Sequence, residues 1–294
     1  MLPDFIGIGA PKAGTTWLFK CLQEHPEVFV ASVKETSFFD FSDVEGRINK
    51  YEEHFASSEQ YRARGEVSTR YLASEKAPAR VKRYIPDARL FVSLRNPIDQ
   101  VYSHYWHLAR QNFHQRDGAA NPRTFEEALE EHGERLLRPA LYHEHLTRWL
   151  SLFEREQVLI LFYDDIRASP AEVLKTVFSF IGVDERYIPR SLMQTGSSVR
   201  QGISPRSPTL GRVHTQVYSQ LNSRVYRPLK RVVGTRTADR IKDALRVRPI
   251  MEFLFHRKGY PRMRADTRAM LRRRFDEDLK LLSTMAGRDL SHWV

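Results

Sequence analysis

A glycine-rich segment near the N-terminus has the composition of a phosphate-binding loop. Residues 9–18 read Gly-Ala-Pro-Lys-Ala-Gly-Thr-Thr-Trp-Leu and join an apolar run to a helical pattern. Backbone N–H groups at such a turn converge on an anion, and the helix dipole assists them. The spacing of Gly9 and Gly14 imitates a nucleotide-binding P-loop, but Thr15 stands where that motif requires lysine. Because the positive charge lies inside the loop, at Lys12, the segment predicts phosphate binding without the usual arrangement for Mg²⁺ and a γ-phosphate.

A second candidate for phosphate binding follows another apolar run. Arg95 comes directly after Leu90–Leu94, and Pro97 begins a helical pattern in which Ser103 falls about two turns later. An arginine fork and a hydroxyl group from the next helix bind phosphate by charge-assisted hydrogen bonds. An ordinary strand end with a surface arginine pair is the alternative for Arg95 taken alone.

Two side chains are candidates for proton transfer. Glu35 lies in the segment Lys34-Glu35-Thr36-Ser37-Phe38-Phe39, and a surface carboxylate paired with Lys34 is the alternative role for it. His107 follows Ser103 by four residues, so the two share one face of a helix. His107 is a candidate proton shuttle or leaving-group stabiliser, although a lone histidine on a helix is more often a packing or solvent residue.

The elements that must position these residues alternate between strand and helix patterns. This alternation predicts a single α/β domain over residues 1–294, with a mainly parallel central sheet flanked by helices and a P-loop-like strand–loop–helix. The predicted strands are Phe5–Gly9, Val28–Ala31, Gly65–Ser68, Leu90–Leu94 and Val158–Tyr163. The predicted helices are Thr16–Glu24, Pro97–Arg110, Thr124–His132, Leu141–Glu154, Ala171–Ile181 and Asp266–Met285. Residues 194–207 predict a long loop, and residues 208–294 predict a basic helical region of the same domain.

Charge is distributed unevenly along the chain. Residues 200–274 hold twenty Lys or Arg against four Asp or Glu, which is a net +16, so the remaining residues carry −5 of the total of +11. A basic region of this kind indicates contact with an anionic partner or a membrane surface. A solvated basic surface is the alternative. The hydrophobic fraction of 41% supports a sizeable core and excludes a disordered chain.

The motifs together resemble those of the PAPS-dependent sulfotransferases, where PAPS is 3′-phosphoadenosine 5′-phosphosulfate. Pro11-Lys12-Ala13-Gly14-Thr15-Thr16-Trp17-Leu18 is similar to the 5′-phosphosulfate loop of that family, and Arg95 through Ser103 is similar to its 3′-phosphate motif. Arg257-Lys258-Gly259 resembles the loop that closes over the 3′-phosphate in the heparan-sulfate-type branch. The resemblance implies that the nucleotide is bound by Lys12, Ala13, Gly14, Thr15, Thr16, Trp17, Arg95, Ser103, Arg257, Lys258 and Gly259.

The resemblance also implies roles in the reaction. Lys12 neutralises charge on the bridging oxygen, and Glu35 matches the general base of the heparan-sulfate-type enzymes. Since a histidine is the base in the aryl and steroid branch, a His107 base with Glu35 in support stays open. The acceptor cleft is expected to involve Lys34, Ser68, Arg70 and Tyr71, although Thr69 replaces a proline that is frequent in this family segment.

The expected reaction is sulfuryl transfer from PAPS, with PAP as product, to a hydroxyl or amine of a glycan, a lipid-linked molecule or a small molecule. We expect no required metal, because no His/Cys/Asp set has ligand spacing. A lone cysteine, Cys21, and a start that leads straight into a strand favour a bacterial cytoplasm, with peripheral membrane association as an option. Two alternatives remain: a P-loop nucleotide kinase, which needs the missing lysine, and a basic nucleic-acid-binding protein, for which no aromatic-basic reader motif is visible.

Overall fold

The computed structural model describes residues 1–110, 124–192, 203–205, 217, 220, 222–226, 228–230, 234, 237 and 256–293. The chain divides into two compact units. The first comprises Met1–His104, His132–Arg200 and Arg264–Val294, and the second comprises Tyr105–Glu131 and Gln201–Met263. The expectation of one domain over residues 1–294 stays a prediction.

The first unit is built on a five-stranded parallel sheet with the strand order β2-β3-β1-β4-β5. The residues of β1 are all buried, as a strand covered by helices on both faces requires. The α/β class is confirmed, and each predicted strand agrees with the structure to within two residues at either end. The strands are β1 Phe5–Gly9, β2 Val28–Val30, β3 Ala63–Val67, β4 Arg89–Leu94 and β5 Val158–Phe162.

Helices connect and flank these strands. They are α1 Thr15–Glu24, α2 Ile48–Glu52, α3 Ala77–Tyr84, α4 Pro97–Arg110, α5 Phe125–Leu137, α6 Tyr142–Leu150, α7 Tyr163–Ala168, α8 Pro170–Ile181 and α9 Ala265–Ala286. Single 3₁₀ turns lie at Phe38–Asp40, Glu45–Arg47, Glu53–Phe55, Arg138–Ala140, Arg155–Gln157, Arg190–Leu192 and Ser291–Trp293. The apolar core of the unit packs α1 and α8 against the sheet, with Phe5, Leu18, Phe91 and Phe178 among its buried members.

Strand register explains why functional segments distant in the chain meet. β1 pairs with β4 on one side and with β3 on the other, so Gly9 lies beside Val92 and Gly7 beside Val67. Carboxyl ends of parallel strands share one edge of the sheet, and ligands of open α/β sheets bind there. The loop after β1, Arg95 after β4 and the segment after β3 are therefore neighbours.

The second unit corrects two expectations, since residues 203–205, which lie in the predicted long loop, also form a strand. Residues 256–258, predicted to lie in a helical region, form a short strand, β7 His256–Lys258, which pairs antiparallel with β6 Ile203–Pro205. The punctuating Gly259 and Pro261 follow β7 at once, and a helix cannot run through them. Most of the predicted basic region between residues 206 and 255 lies outside the described residues. Of the helices in the described ranges, none is both long and apolar enough to cross a membrane.

Candidate active site

The loop after β1 is shaped by two glycines. Gly14 has a φ of 87° and precedes α1, and a Cβ there would lie 3.0 Å from Ile166 and 3.2 Å from the Tyr163 ring. Only glycine adopts this left-handed conformation without strain. Gly9 begins the loop, and a Cβ on it would meet the Thr69 carbonyl oxygen at 3.2 Å and Leu72 at 2.7 Å. The loop is thus packed closely on both sides, as a preformed phosphate cradle requires.

The loop is also held by the end of β4 and the start of α4. Arg95 Nη1 donates to the Lys12 carbonyl oxygen at 3.2 Å, Ser93 Oγ donates to Ala13 O at 2.6 Å, and Gln100 Nε2 donates to Pro11 O at 3.1 Å. The structure therefore brings the two predicted phosphate-binding segments into direct contact. The Ala10 N–H of the loop in turn donates to Ser93 O at 2.8 Å.

Arg95 lies in a setting that suits anion binding. Its guanidinium group lies 4.8 Å from the centre of the Tyr163 ring, and no carboxylate of the described residues pairs with it. A half-buried arginine with one neutral acceptor keeps most of its five N–H donors for a ligand. Sequence analysis missed Tyr163, which contacts both Gly14 and Arg95; the only available signal was its place directly after the fifth strand.

The other residues predicted to contact phosphate differ in how far they are exposed to solvent. Thr16 is exposed at the start of α1, whereas Thr15 is buried. Trp17 is buried, its backbone N–H donates to Gly14 O at 2.9 Å, and its indole N–H donates to Ser191 O at 3.2 Å. Because both donors of Trp17 are used inside the protein, its predicted contact with the nucleotide gets no support from this arrangement. Ser103 is buried on α4.

The start of α4 is fixed by Asn96. Its side-chain oxygen accepts the backbone N–H of Ile98 at 3.0 Å, and Pro97 occupies the first helical position. The Asn96 amide also donates to Trp293 O at 2.5 Å, which ties the helix start to the end of the described chain. Arg95 is therefore presented from a capped and anchored helix start.

Glu35 is bound by groups from three sides. Its Oε2 accepts the Thr69 backbone N–H at 2.7 Å, the Thr69 hydroxyl lies 3.0 Å from Oε1 and 3.1 Å from Oε2, and Lys34 Nζ pairs with Oε1. The Glu35 backbone N–H donates to Val67 O at 3.0 Å. With 35% of its side chain exposed, the carboxylate is held firmly and is still accessible from solvent. The predicted pairing with Lys34 is present, but it is only one of these contacts.

A buried carboxylate supports the Glu35 segment from below. Glu66 on β3 is fully buried and accepts hydrogen bonds from Thr36, Tyr51 (2.6 Å), Ser68 (2.8 Å) and Tyr71 (3.0 Å). Burial raises the pKa of Glu66, and these hydroxyl donors oppose the rise. Sequence analysis did not single out Glu66, because a carboxylate inside a strand pattern gives no sign of the hydroxyl groups that other segments bring to it.

Of the four residues predicted for the acceptor cleft, two have internal roles. Ser68 and Tyr71 are fully buried; Ser68 Oγ accepts the Ser37 backbone N–H at 3.1 Å, and the Tyr71 hydroxyl accepts that of Phe39 at 3.2 Å. They shape the Glu35 segment, and their predicted contact with an acceptor gets no support here. Arg70 is exposed, with Nε 3.8 Å from Asp40 Oδ2, and stays a candidate together with Lys34.

Positive backbone φ angles occur at candidate residues of both the phosphate loop and the Glu35 segment. Lys12 has a φ of 67°, Glu35 of 65° and Ser37 of 50°; in the described ranges these are the non-glycine residues with positive φ. Left-handed backbone costs an ordinary side chain about 1–2 kcal/mol, and such residues concentrate at functional sites. Lys12 and Glu35, two of the three candidates for the chemistry, belong to this set.

The remaining candidates belong to the second unit. His107 lies on α4, and the neighbouring Trp106 ring stacks on Tyr260 with 6.0 Å between centres. Gly259, which precedes Tyr260, has a φ of 85°. The segment Arg257-Lys258-Gly259 thus leads into Tyr260, which stacks on the residue before His107. The roles of His107 in proton transfer and of this segment in closing over a phosphate stay predictions.

The described residues contain no candidate metal site. Among them, no group of three His, Cys, Asp or Glu side chains lies close enough to hold an ion. The expectation that no metal is required stays a prediction. The two anchored cationic segments, Lys12 within its loop and Arg95 after β4, instead fit a ligand with two separate phosphate groups.

Comparisons of the sequence and of the structure with known proteins point to the same family. The family model described as "Sulfotransferase domain" matches residues 2–197. The chain is 31% identical over 202 residues to mouse bifunctional heparan sulfate N-deacetylase/N-sulfotransferase 4 and 33% identical over 203 residues to human N-deacetylase/N-sulfotransferase 3, covering 63% of this chain and 23% of each relative. The chain thus spans about a quarter of the length of these relatives. A sulfotransferase structure from Alicyclobacillus acidocaldarius has the same fold, with a TM-score of 0.67, 23% identity and coverage of 100% of this chain and 99% of that one.

Proposed function

Because the chain belongs to the sulfotransferase domain family, we propose that it transfers a sulfuryl group from PAPS to an amine or hydroxyl group of a glycan. The observation that carries the proposal is the contact between Arg95 and the loop of Lys12, at 3.2 Å. The Arg95 side chain is fixed against the backbone of the loop that carries Lys12. A 3′,5′-bisphosphorylated nucleotide has two phosphate groups, which two such cationic residues can bind.

Lys12 and the loop N–H groups are the proposed holders of the 5′-phosphosulfate. The left-handed backbone at Lys12 and Gly14 turns the loop into the concave shape that anions bind. PAPS supplies the activated sulfuryl group, and sulfuryl transfer, like phosphoryl transfer, depends chiefly on positioning and charge neutralisation. Lys12 neutralises the leaving oxygen, and Arg95 with Ser103 fixes the 3′-phosphate.

Glu35 is the proposed general base. It is a carboxylate with 35% of its side chain exposed, and it is fixed through Thr69 to the segment that packs on Gly9. A base must lie within hydrogen-bond reach of the proton that it removes. The anchoring of Glu35 through Thr69 supports this role. His107 is the second candidate.

A glycan is the proposed acceptor class, and an amine is the first choice. The support comes from the relatives, which are named as heparan sulfate N-deacetylase/N-sulfotransferases and match this chain at 31–33% identity. The sequence excess of basic residues between 200 and 274 favours an anionic acceptor chain. The proposal also includes a membrane surface as a partner and a bacterial cytoplasmic location. Both rest on the sequence alone.

The test is transfer of ³⁵S from labelled PAPS to a matched pair of acceptors. One is N-deacetylated heparosan, an unsulfated polymer of glucosamine and glucuronate with free amines, and the other is its N-acetylated parent, which offers hydroxyl groups only. Label on the first polymer alone indicates N-sulfation, and label on both indicates O-sulfation. Label on neither, with PAP still bound, would reject the glycan acceptor, whereas absence of PAP binding would reject the donor assignment.

A further inference from the structure

Thr69 makes three polar contacts to the Glu35 side chain. It donates its backbone N–H to Oε2 at 2.7 Å, and its hydroxyl lies 3.0 Å from Oε1 and 3.1 Å from Oε2. Thr69 is itself buried, with 6% of its surface exposed. A buried threonine thus meets a partly exposed carboxylate with both of its donors.

The number of donors leaves the carboxylate able to act as a base. A threonine hydroxyl carries one hydrogen, so Thr69 supplies two donors in all, and Lys34 supplies a third at Oε1. An ionised carboxylate has about four acceptor positions. Contacts with the described residues therefore leave one position for a proton from an acceptor molecule.

Thr69 is tied to the phosphate loop as well as to Glu35. The segment around it is fixed to β1, because Ser68 N–H donates to Gly7 O at 2.9 Å and Leu72 N–H donates to Ile8 O at 2.8 Å. The Thr69 carbonyl oxygen lies 3.2 Å from the position that a Cβ on Gly9 would take. Thr69 is consequently a rigid spacer between the first residue of the loop and the Glu35 carboxylate.

We propose that Thr69 is the positioning residue of this enzyme, and that it sets the orientation of Glu35 relative to the phosphate loop. The inference rests on the proposed function, in which Glu35 is the base. The hydroxyl fixes the rotation of the carboxylate, and the backbone N–H fixes its distance from the sheet. A proline at position 69 lacks that N–H, so this mode of positioning requires a residue other than proline.

The test is a double-mutant cycle on turnover with labelled PAPS and N-deacetylated heparosan. Thr69→Val removes only the hydroxyl and is expected to lower kcat about tenfold or more, since it removes a hydrogen bond to a charged group. Thr69→Ser keeps the hydroxyl and is expected to restore most of the rate. KM for PAPS and the affinity for PAP are expected to stay near wild type in both variants. The matched control is Thr176→Val on helix α8. It also removes a threonine hydroxyl, but that hydroxyl donates to Glu172 O.

The cycle separates the two hypotheses. If Thr69 acts through Glu35, Thr69→Val lowers kcat little further when Glu35 is already replaced by Gln. Equal losses in both backgrounds would overturn the positioning role while leaving the base assignment intact. Near-normal turnover of Glu35→Gln alone would instead reject the base assignment of the proposed function.

A second measurement needs no acceptor molecule. Hydrogen exchange of the Thr69 amide, followed by NMR, is expected to speed up at least tenfold in Glu35→Ala, because the N–H then loses its acceptor. The Leu72 amide, which donates to Ile8 O, is the internal reference and is expected to keep its rate. An unchanged Thr69 exchange rate would contradict the contact on which the proposal depends.

Discussion

The guanidinium group of Arg95 donates to the carbonyl oxygen of Lys12 across 3.2 Å, joining two segments that are 83 residues apart in the chain. The contact exists because β1 and β4 are parallel neighbours whose carboxyl ends share one edge of the sheet. The Arg95 side chain is thereby fixed against the loop that carries Lys12 before any ligand binds. Such preorganisation lowers the entropic cost of binding two phosphate groups at once.

Gly14→Ala is expected to weaken PAP binding at least tenfold and to destabilise the protein by about 1–2 kcal/mol. The added Cβ would take a left-handed conformation and press on Ile166 at 3.0 Å and on Tyr163 at 3.2 Å, so the loop must shift. Gly287→Ala is the control, because Gly287 also has positive φ, at 61°, but open space around it. Calorimetry and urea unfolding are the measurements. Equal effects of both variants on PAP binding would show that the loop does not require Gly14.

Glu35→Gln is expected to reduce kcat by roughly two to four powers of ten, with the affinity for PAP unchanged, since the amide keeps the shape but cannot accept the acceptor's proton. His107→Gln is expected to reduce kcat less. Steady-state kinetics with the glycan acceptor measure both, and Glu59→Gln at an exposed site serves as the control. A larger loss in His107→Gln than in Glu35→Gln would transfer the role of base to the histidine.

Glu66 gives the protein a predictable dependence of stability on pH. Burial raises its pKa from 4.5, so the folded state binds this proton more tightly than the unfolded state does. The stability gained from the protonated form is present below the unfolded pKa and is lost as pH rises through the folded pKa. The free energy of unfolding of the wild type is therefore expected to fall relative to that of Glu66→Gln as pH rises.

Urea unfolding of both proteins at several values between about pH 4 and pH 8 measures this difference. Gln does not ionise, so only the wild type titrates at position 66. Groups that titrate alike in both proteins cancel in the difference. A difference in unfolding free energy that stays constant with pH would contradict the raised pKa of Glu66.

The sheet and the loop could be predicted from sequence because they depend on local patterns. Short runs of four to six residues between helical patterns predict the five strands, and the loop from Gly9 to Gly14 has its own signature. The strand order itself comes from the structure. Because β4 lies beside β1, the meeting of Arg95 and Lys12 follows from the register.

The support of Glu35 could not be predicted, because it depends on long-range contacts between side chains. Thr69 is 34 residues from Glu35, and Tyr51 is 15 residues from Glu66. Neither spacing has a periodic signature. Ser68 and Tyr71 were predicted to contact the acceptor, since the hydroxyl groups alone do not indicate whether a ligand or a buried carboxylate uses them. The short strand His256–Lys258 was missed because three residues are too few to show alternation.

Calorimetric titration with PAP, against 5′-AMP and ATP, tests the central claim most directly. The wild type is expected to bind PAP with a Kd on the order of 1 μM and 5′-AMP much more weakly. Arg95→Ala is expected to lose about a hundredfold in affinity for PAP, because it removes the charge-assisted bonds to the 3′-phosphate, and to bind 5′-AMP as the wild type does. Arg83→Ala, at an exposed arginine paired with Glu45, is the control. Failure of the wild type to prefer PAP over 5′-AMP would contradict the assignment of Lys12 and Arg95 to the two phosphate groups.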